Sequence, residues 1–167
     1  RQSLDLDWFT PQPLLDPMGL AQALRQAGVP FSTGQTAPGR LHGQIEDLRV
    51  SFFEYRYPLL LPLVQWQEIG ISLASLDDLA CMKLSAIAQR GSKKDFFDIY
   101  AVCQAHRSLE QLLERYLQKF SVADISPVLY GLVYFDDAET EPDPLMLAET
   151  TWSQVKRTLR TWVKAIR

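Results

Sequence analysis

Only two cysteines and two histidines occur among the 167 residues, and that scarcity removes several kinds of chemistry at once. Cys81 and Cys103 form no C-x-x-C pair, and with His42 and His106 as the only imidazoles there is no zinc framework. Both cysteines fall inside apolar helical patterns, which predicts two buried thiols in a reducing cytoplasm. Long apolar runs are also missing. Nothing approaches the roughly 18 consecutive apolar residues of a membrane span, and the first residues carry no signal-peptide pattern, so the expectation is a cytoplasmic protein. Nor is there an excess of positive charge. With a net charge of −3 and a pI near 5.4, no global field draws the chain to a polyanion, and any such contact needs a local basic patch. What is present, 47% hydrophobic and 22% charged residues, is an ordinary globular composition, with length enough for one domain and a substantial core.

The chemistry begins at the first residues, Arg1-Gln2-Ser3-Leu4-Asp5-Leu6-Asp7-Trp8-Phe9. In an extended strand, side chains at i and i+2 share a face about 7 Å apart along the backbone. Asp5 and Asp7 therefore project together, while Leu4, Leu6 and Trp8 are expected to turn toward the interior. Paired carboxylates opposite an apolar set suit a Mg²⁺ site on a sheet edge. The same pattern also arises from two surface aspartates alternating with core residues.

After Thr10-Pro11-Gln12-Pro13 the pattern predicts a helix across Met18 to Ala27, set up by Asp16-Pro17 and stopped at Gly28. Val29 to Phe31 reads as a short strand and Ser32 to Gly39 as a turn. Arg40 to Ile45 and Glu46 to Tyr57 read as strands, and Pro58 and Pro62 keep the exit extended. From Leu76 the period becomes helical and stays so, with breaks around Ser121 to Pro127 and Phe135 to Pro144. Domain bounds of 1–75 for an α/β portion and 76–167 for a helical portion follow, within one compact domain.

On the first long helix, Leu76, Leu79, Ala80, Leu84 and Ile87 fall within one apolar sector, and Lys83 lies near its middle. An ammonium there must snorkel or meet an anion, and the opening carboxylates or a ligand phosphate are the candidates. Gly91 suits a left-handed stop, and Ser92 an N-cap for a helix from Lys93 to about Ala105. Asp95 three residues on resembles a capping box, and Asp98 follows one turn later on the same side. Arg90, Lys93 and Lys94 around this helix start make a plausible phosphate contact. Phe96, Ile99 and Cys103 form its buried stripe. Leu109 to Phe120 and Ile125 to Tyr134 are two further helices.

Asp136, Asp137, Glu139, Glu141 and Asp143 make an acidic segment that reads as a solvated loop, held extended by Pro142 and Pro144. The closing helix has Trp152, Val155, Leu159, Trp162, Val163 and Ile166 as its apolar stripe. Lys156, Arg157, Arg160, Lys164 and Arg167 cover the rest, a cluster that suits either the helix dipole or RNA.

Four segments in order resemble one family across nearly the whole chain. They are Arg1-x-Ser3-x-Asp5-Leu6-Asp7-x-Phe9; Leu76-Asp77-Asp78-Leu79-Ala80-Cys81-Met82-Lys83-Leu84; Arg90-Gly91-x-Lys93-Lys94-Asp95-Phe96-Phe97-Asp98-Ile99-Tyr100; and Tyr134-Phe135-Asp136-Asp137-Ala138-Glu139. The pattern is similar to the AbiEii/AbiGii-type nucleotidyltransferases of abortive-infection and toxin–antitoxin pairs. The resemblance implies an α+β, polymerase-β-like fold with a short mixed sheet, flanking helices and a helical C-terminal half. It implies Mg²⁺ held by Asp5 and Asp7, catalysis by Asp5, Asp7, Lys83 and Asp98, and a nucleotide held by Ser3, Lys83, Lys94 and Asp95. Two metals and a lysine would stabilise in-line attack on an α-phosphate, with an NTP as substrate and RNA or protein as acceptor. A separate antitoxin protein is the implied partner, and Lys156, Arg157, Arg160 and Lys164 are the candidate RNA contacts.

The sequence departs from that pattern twice. The family's Gly-Gly-Thr/Ser turn, whose amides cradle the triphosphate, lies upstream of the D-x-D and is not among these residues, so a shortened N-terminus is the expectation. A third carboxylate is expected on a neighbouring strand, and Ser51 occupies its position, with Asp47 and Glu54 poor substitutes. A catalytically inactive relative that binds a nucleotide or a protein is the alternative, and a plain interaction domain a third.

Overall fold

The computed structural model describes residues 1–3, 5–147 and 149–166. Backbone contacts divide it into two compact units, Gln2–Tyr57 and Arg1 together with Pro58–Arg167. The class is α+β, with a short mixed sheet followed by a helical C-terminal half.

The first unit is built on strands β1 (Asp5–Thr10), β2 (Phe31–Ala37), β3 (Arg40–Ile45) and β4 (Leu48–Glu54), with helix α1 (Pro17–Gln26) between β1 and β2. The sheet order is β1-β4-β3-β2, with β1 parallel to β4 and the other pairs antiparallel. Asp16 starts α1 by accepting from the Gly19 amide at 2.8 Å, Pro17 sits in its first turn, and the helix ends before Gly28. Residues 32–37, expected as a turn, are instead strand β2, with a register shift between Thr33 and Thr36. Its polar residues reflect an exposed edge strand rather than a turn. The chain reverses at Pro38-Gly39, and again at Glu46-Asp47, where Glu46 is left-handed, so the next strand begins at Leu48 rather than Glu46. Gly43 on β3 admits no side chain, because a Cβ there would meet the Phe31 ring at 2.3 Å and the Ser32 carbonyl at 2.4 Å.

Ala21, Phe31, Leu41 and Val50 form this unit's core, packed by Leu20, Leu24, Ile45 and Phe52. Leu6 and Trp8 are paired with Val50 and Phe52, which places them on the same apolar face as those residues. They are nevertheless 45% and 43% exposed, contrary to the expectation of interior positions, because α1 packs chiefly on β2 and β3 at the other side of the sheet from edge strand β1. Leu4 lies outside the described residues.

In the second unit, Pro58 to Leu63 forms neither helix nor strand and bends at Leu60 and Leu61, then leads into a small hairpin of β5 (Val64–Trp66) and β6 (Ile71–Leu73). Helices α2 (Leu76–Gln89), α3 (Lys93–Ala105), α4 (Leu109–Phe120), α5 (Ser126–Val133), α6 (Asp136–Glu139) and α7 (Trp152–Ala165) follow. Leu84, Ile87, Phe96, Ile99, Leu112, Leu132, Val155 and Leu159 are buried among them. Gly131 lets α5 approach α2 closely, since a Cβ there would lie 3.0 Å from the Ile87 carbonyl oxygen.

The buried face of α2 is rotated from the predicted sector. Leu76 and Leu79 are exposed, whereas Asp77 and Asp78 are fully buried. Ionic partners on α4 and just before it, described below, make that burial possible. Cys81 is buried and Cys103 half-buried rather than fully so; both are free, and burial pushes both thiols up to about 12.

Asp136, Asp137, Glu139 and Asp143 of the acidic segment are exposed, as a solvated segment requires, but the segment is not all loop. Its first part forms α6, and Glu141 reaches back to the start of α3, where its carboxylate accepts from the Lys93 amide at 2.8 Å and the Ser92 hydroxyl at 2.9 Å. Lys93 Nζ bonds the Glu141 carbonyl and lies 3.0 Å from Asp143. Ser92 makes no side-chain cap, so the expected Ser92/Asp95 capping box is absent, and the helix end read as a phosphate contact is already filled by a carboxylate. Glu141→Ala is expected to cost about 0.5–2 kcal/mol, the usual value of a lost cap, as measured by urea unfolding. Stability within error of the wild type would show that the contact contributes nothing.

Candidate functional site

Each unit carries one group of the predicted residues. On the sheet, the β1–β4 register sets Asp5 beside Arg49 and Asp7 beside Ser51, and the β3–β4 register sets Ser51 beside His42. Side chains of paired residues share a face, so Asp5, Asp7, Arg49, Ser51 and His42 lie together, opposite the face that carries α1. Arg49 Nε lies 2.7 Å from Asp5 Oδ1, and His42 Nδ1 lies 3.1 Å from Ser51 Oγ. Aromatic rings border the row at one end, with Phe9 stacked on Phe53 at 5.5 Å and His42 edge-on to Phe53 at 5.2 Å. Ser3 donates its hydroxyl to the Asp5 carbonyl at 3.1 Å.

The second group brings Lys83, Asp95 and Asp98 together. Lys83 Nζ lies 2.7 Å from Asp95 Oδ1 and 2.9 Å from Asp98 Oδ2. Arg1 grips Asp98 with two bonds, Nε to Oδ1 at 2.8 Å and Nη2 to Oδ2 at 2.7 Å. The anions expected for Lys83 are thus supplied by α3. Burial pulls the lysine downward, but Asp95 and Asp98 outweigh it and hold the ammonium above its ordinary value. Burial likewise pushes Asp98 up, yet the Arg1 bond and Lys83 bring it below the usual carboxylate range. An ammonium has three N–H donors, and the two carboxylates engage only part of that capacity. Arg90 stands 3.9 Å from Asp95 Oδ2, and Lys94 is half-buried in the first turn of α3.

This linked cluster draws on three of the four recognised segments, and the comparison with known families covers the two that carry Lys83, Asp95 and Asp98. The model described as "Nucleotidyl transferase AbiEii toxin, Type IV TA system" matches residues 21–162. The chain belongs to the AbiEii family. The match includes Lys83, Lys94, Asp95 and Asp98 of this AbiEii member, whereas Asp5 and Asp7 precede it. The uncharacterized protein aq_aa25 of Aquifex aeolicus (strain VF5) is 40% identical over 124 residues, which is 72% of this chain and 58% of the relative. The chain thus spans a little over half the length of that relative. No solved structure matches.

A resident metal in the AbiEii chain would be met by hard oxygen donors, since Asp5 and Asp7 present carboxylates on one face. Mg²⁺ is commonly held by one or two carboxylates together with substrate phosphates, and that donor set fits it. Among the described residues no three His, Cys, Asp or Glu side chains gather as a cage. Three features of these two groups were not read from sequence: the Arg49 pair on Asp5 and the His42–Ser51 bond in the first unit, and the Arg1 fork on Asp98 in the second. The first two depend on strand register, which short motifs do not encode; Arg1 stood inside a recognised motif, but its partner lies 97 positions away.

On α7, Lys156 pairs with Glu139 and lies 5.4 Å over Trp152, and Arg160 stands 5.0 Å over Phe135. Two of the four candidate RNA-binding residues therefore serve the fold, while Arg157 and Lys164 are exposed. Arg167 lies outside the described residues. No helix among the described residues is long and apolar enough to cross a membrane.

Proposed function

We propose that this protein is a toxin of a toxin–antitoxin pair that transfers a nucleotide from an NTP to an RNA or protein acceptor with Mg²⁺, and that a separate antitoxin protein restrains it. The observation that carries this reading is the Lys83–Asp95–Asp98 cluster, which lies inside the segment matched by the family. Its charged lysine is oriented by two carboxylates and keeps donor capacity for a phosphate oxygen. Arg1 shares Asp98 with the lysine. In the first unit, Asp5 and Asp7 are the residues that would hold Mg²⁺, with the Ser3 hydroxyl bonded to the Asp5 carbonyl; in the second, Lys83, Lys94 and Asp95 are the candidates for holding the nucleotide. The metal, when bound, would neutralise charge developing on the phosphate.

Full-length protein incubated with labelled NTPs and total RNA tests this directly. Asp5→Ala/Asp7→Ala and, separately, Lys83→Ala are expected to lower label transfer more than about 10²-fold. Equal labelling by all three proteins would remove the site. Label found on protein rather than RNA would fix the acceptor, and reversal of charge at Arg157 and Lys164 should weaken transfer only for an RNA acceptor.

One pair of observations favours a second reading, an inactive relative that binds a nucleotide or partner protein. Ser51 stands beside Asp7 where a third carboxylate is expected, and Asp5 is already paired with Arg49. Thermal stabilisation by an NTP without any label transfer would select it.

A further inference from the structure

We infer that Arg49 stands in for a cation at Asp5 and makes divalent-metal binding at the Asp5/Asp7 pair conditional on a polyphosphate. This rests on the metal-dependent reading above and concerns a residue that reading leaves without a role. Register fixes the pairing, since β4 runs parallel to β1 and sets Arg49 directly beside Asp5. The two side chains differ in setting: Asp5 is 22% exposed and Arg49 64% exposed. The carboxylate is therefore held in place, while the guanidinium sits mostly in solvent and leaves at small cost, as exposed ion pairs do.

Among the described residues, the strand neighbours paired beside Asp5 and Asp7 are Arg49 and Ser51, and neither is an anion. Ser51, beside Asp7, turns its hydroxyl toward His42 Nδ1 at 3.1 Å. The row therefore offers two carboxylates and one guanidinium, a net charge of −1. A free divalent ion approaching it would meet a positive charge already paired with one of its two ligands. Mg²⁺ also gives up its water reluctantly and needs further oxygens. A polyphosphate alters both conditions together. Its oxygens match the guanidinium fork and draw Arg49 from Asp5, and they supply the ligands that the protein lacks. Arg49 thus exchanges one anion for another, and Asp5 becomes available to metal only when the phosphate chain is present.

Mn²⁺ binding followed by electron paramagnetic resonance on the full-length protein tests the inference without any turnover. Without phosphate, the wild type should bind Mn²⁺ weakly. Arg49→Gln should bind it about tenfold more tightly, the effect of removing one charge roughly 6 Å from a divalent ion in a water-like dielectric. Arg49→Lys, which keeps the charge, should stay near the wild type, and Asp5→Asn placed in Arg49→Gln should abolish the gain. With inorganic triphosphate added, the advantage of Arg49→Gln should disappear, because the guanidinium's phosphate contact is then lost. Equal Mn²⁺ affinity of wild type and Arg49→Gln without phosphate, with binding still sensitive to Asp5→Asn, would overturn the role of Arg49 alone. Binding insensitive to Asp5→Asn under both conditions would overturn the metal site itself.

Discussion

Lys119→Met is expected to destabilise the protein by about 3–5 kcal/mol, the cost of leaving a buried carboxylate without its counter-ion. The side chains of Lys119 and Asp78 are both 0% exposed, with Nζ 2.6 Å from Oδ1. The ammonium also donates to the Pro58 carbonyl at 2.8 Å. Asp78 accepts from the Leu60 amide at 2.9 Å and the Ser75 hydroxyl at 2.6 Å. Burial pushes this carboxyl upward, but the Lys119 bond, the Ser75 hydroxyl and the Leu60 amide outweigh it and leave it below the usual range. The pair therefore ties the end of α4 and the start of α2 to the irregular segment from Pro58 to Leu60. Urea unfolding of Lys119→Met and of Lys119→Met/Asp78→Leu separates the contributions. The double variant, which leaves no orphaned charge, should be the more stable of the two. A single-variant loss below about 1 kcal/mol would mean that the pair behaves like a surface contact.

The second large effect concerns Asp77 and acid. This fully buried carboxylate takes His106 Nε2 at 2.6 Å and Arg107 Nε at 2.8 Å on Oδ1, with Arg115 Nε 3.5 Å from Oδ2. Burial pushes its pKa upward, but the bonds from Arg107 and His106 prevail and hold it below the usual carboxylate range. A group depressed in the folded state contributes its full stability above the unfolded value, near 3.9, and loses it as pH falls through the folded value. Stability should therefore drop below about pH 4, and part of that slope should vanish in Asp77→Asn. The substitution itself should cost about 3 kcal/mol or more at neutral pH, because several donors lose a charged acceptor. Urea midpoints from pH 3 to 7 check both points, and parallel profiles for the two proteins would refute the assignment.

Much of the fold was legible where the signal is local. Gly91 and Ser92 mark the junction before α3, and the helix runs from Lys93 to Ala105 as predicted. The D-x-D spacing places Asp5 and Asp7 on one face, and the position of Lys83 on an apolar sector demanded an anion. Features set by distant partners were not legible. Asp77 and Asp78 look like ordinary acids in a helix's first turn, and their burial depends on polar partners 29 to 41 positions away. Glu141 looked like one more loop acid because its target lies 48 positions back. Strand β2 was misread because an exposed edge strand can be as polar as a turn. On the sheet, the identity of each neighbour of Asp5 and Asp7 follows from a register that a slip of one residue would invert.

The parallel pairing of β1 with β4 also has a consequence for the order of assembly. Strands β2, β3 and β4 are joined by tight turns and close through local contacts, whereas β1 must wait for a partner more than 40 positions along the chain. Loop closure of that span carries an entropic cost that the hairpins do not bear. The strand that carries Asp5 and Asp7 is therefore the last of the sheet to dock and the first to fray, and its amides should exchange with deuterium sooner than those of β3.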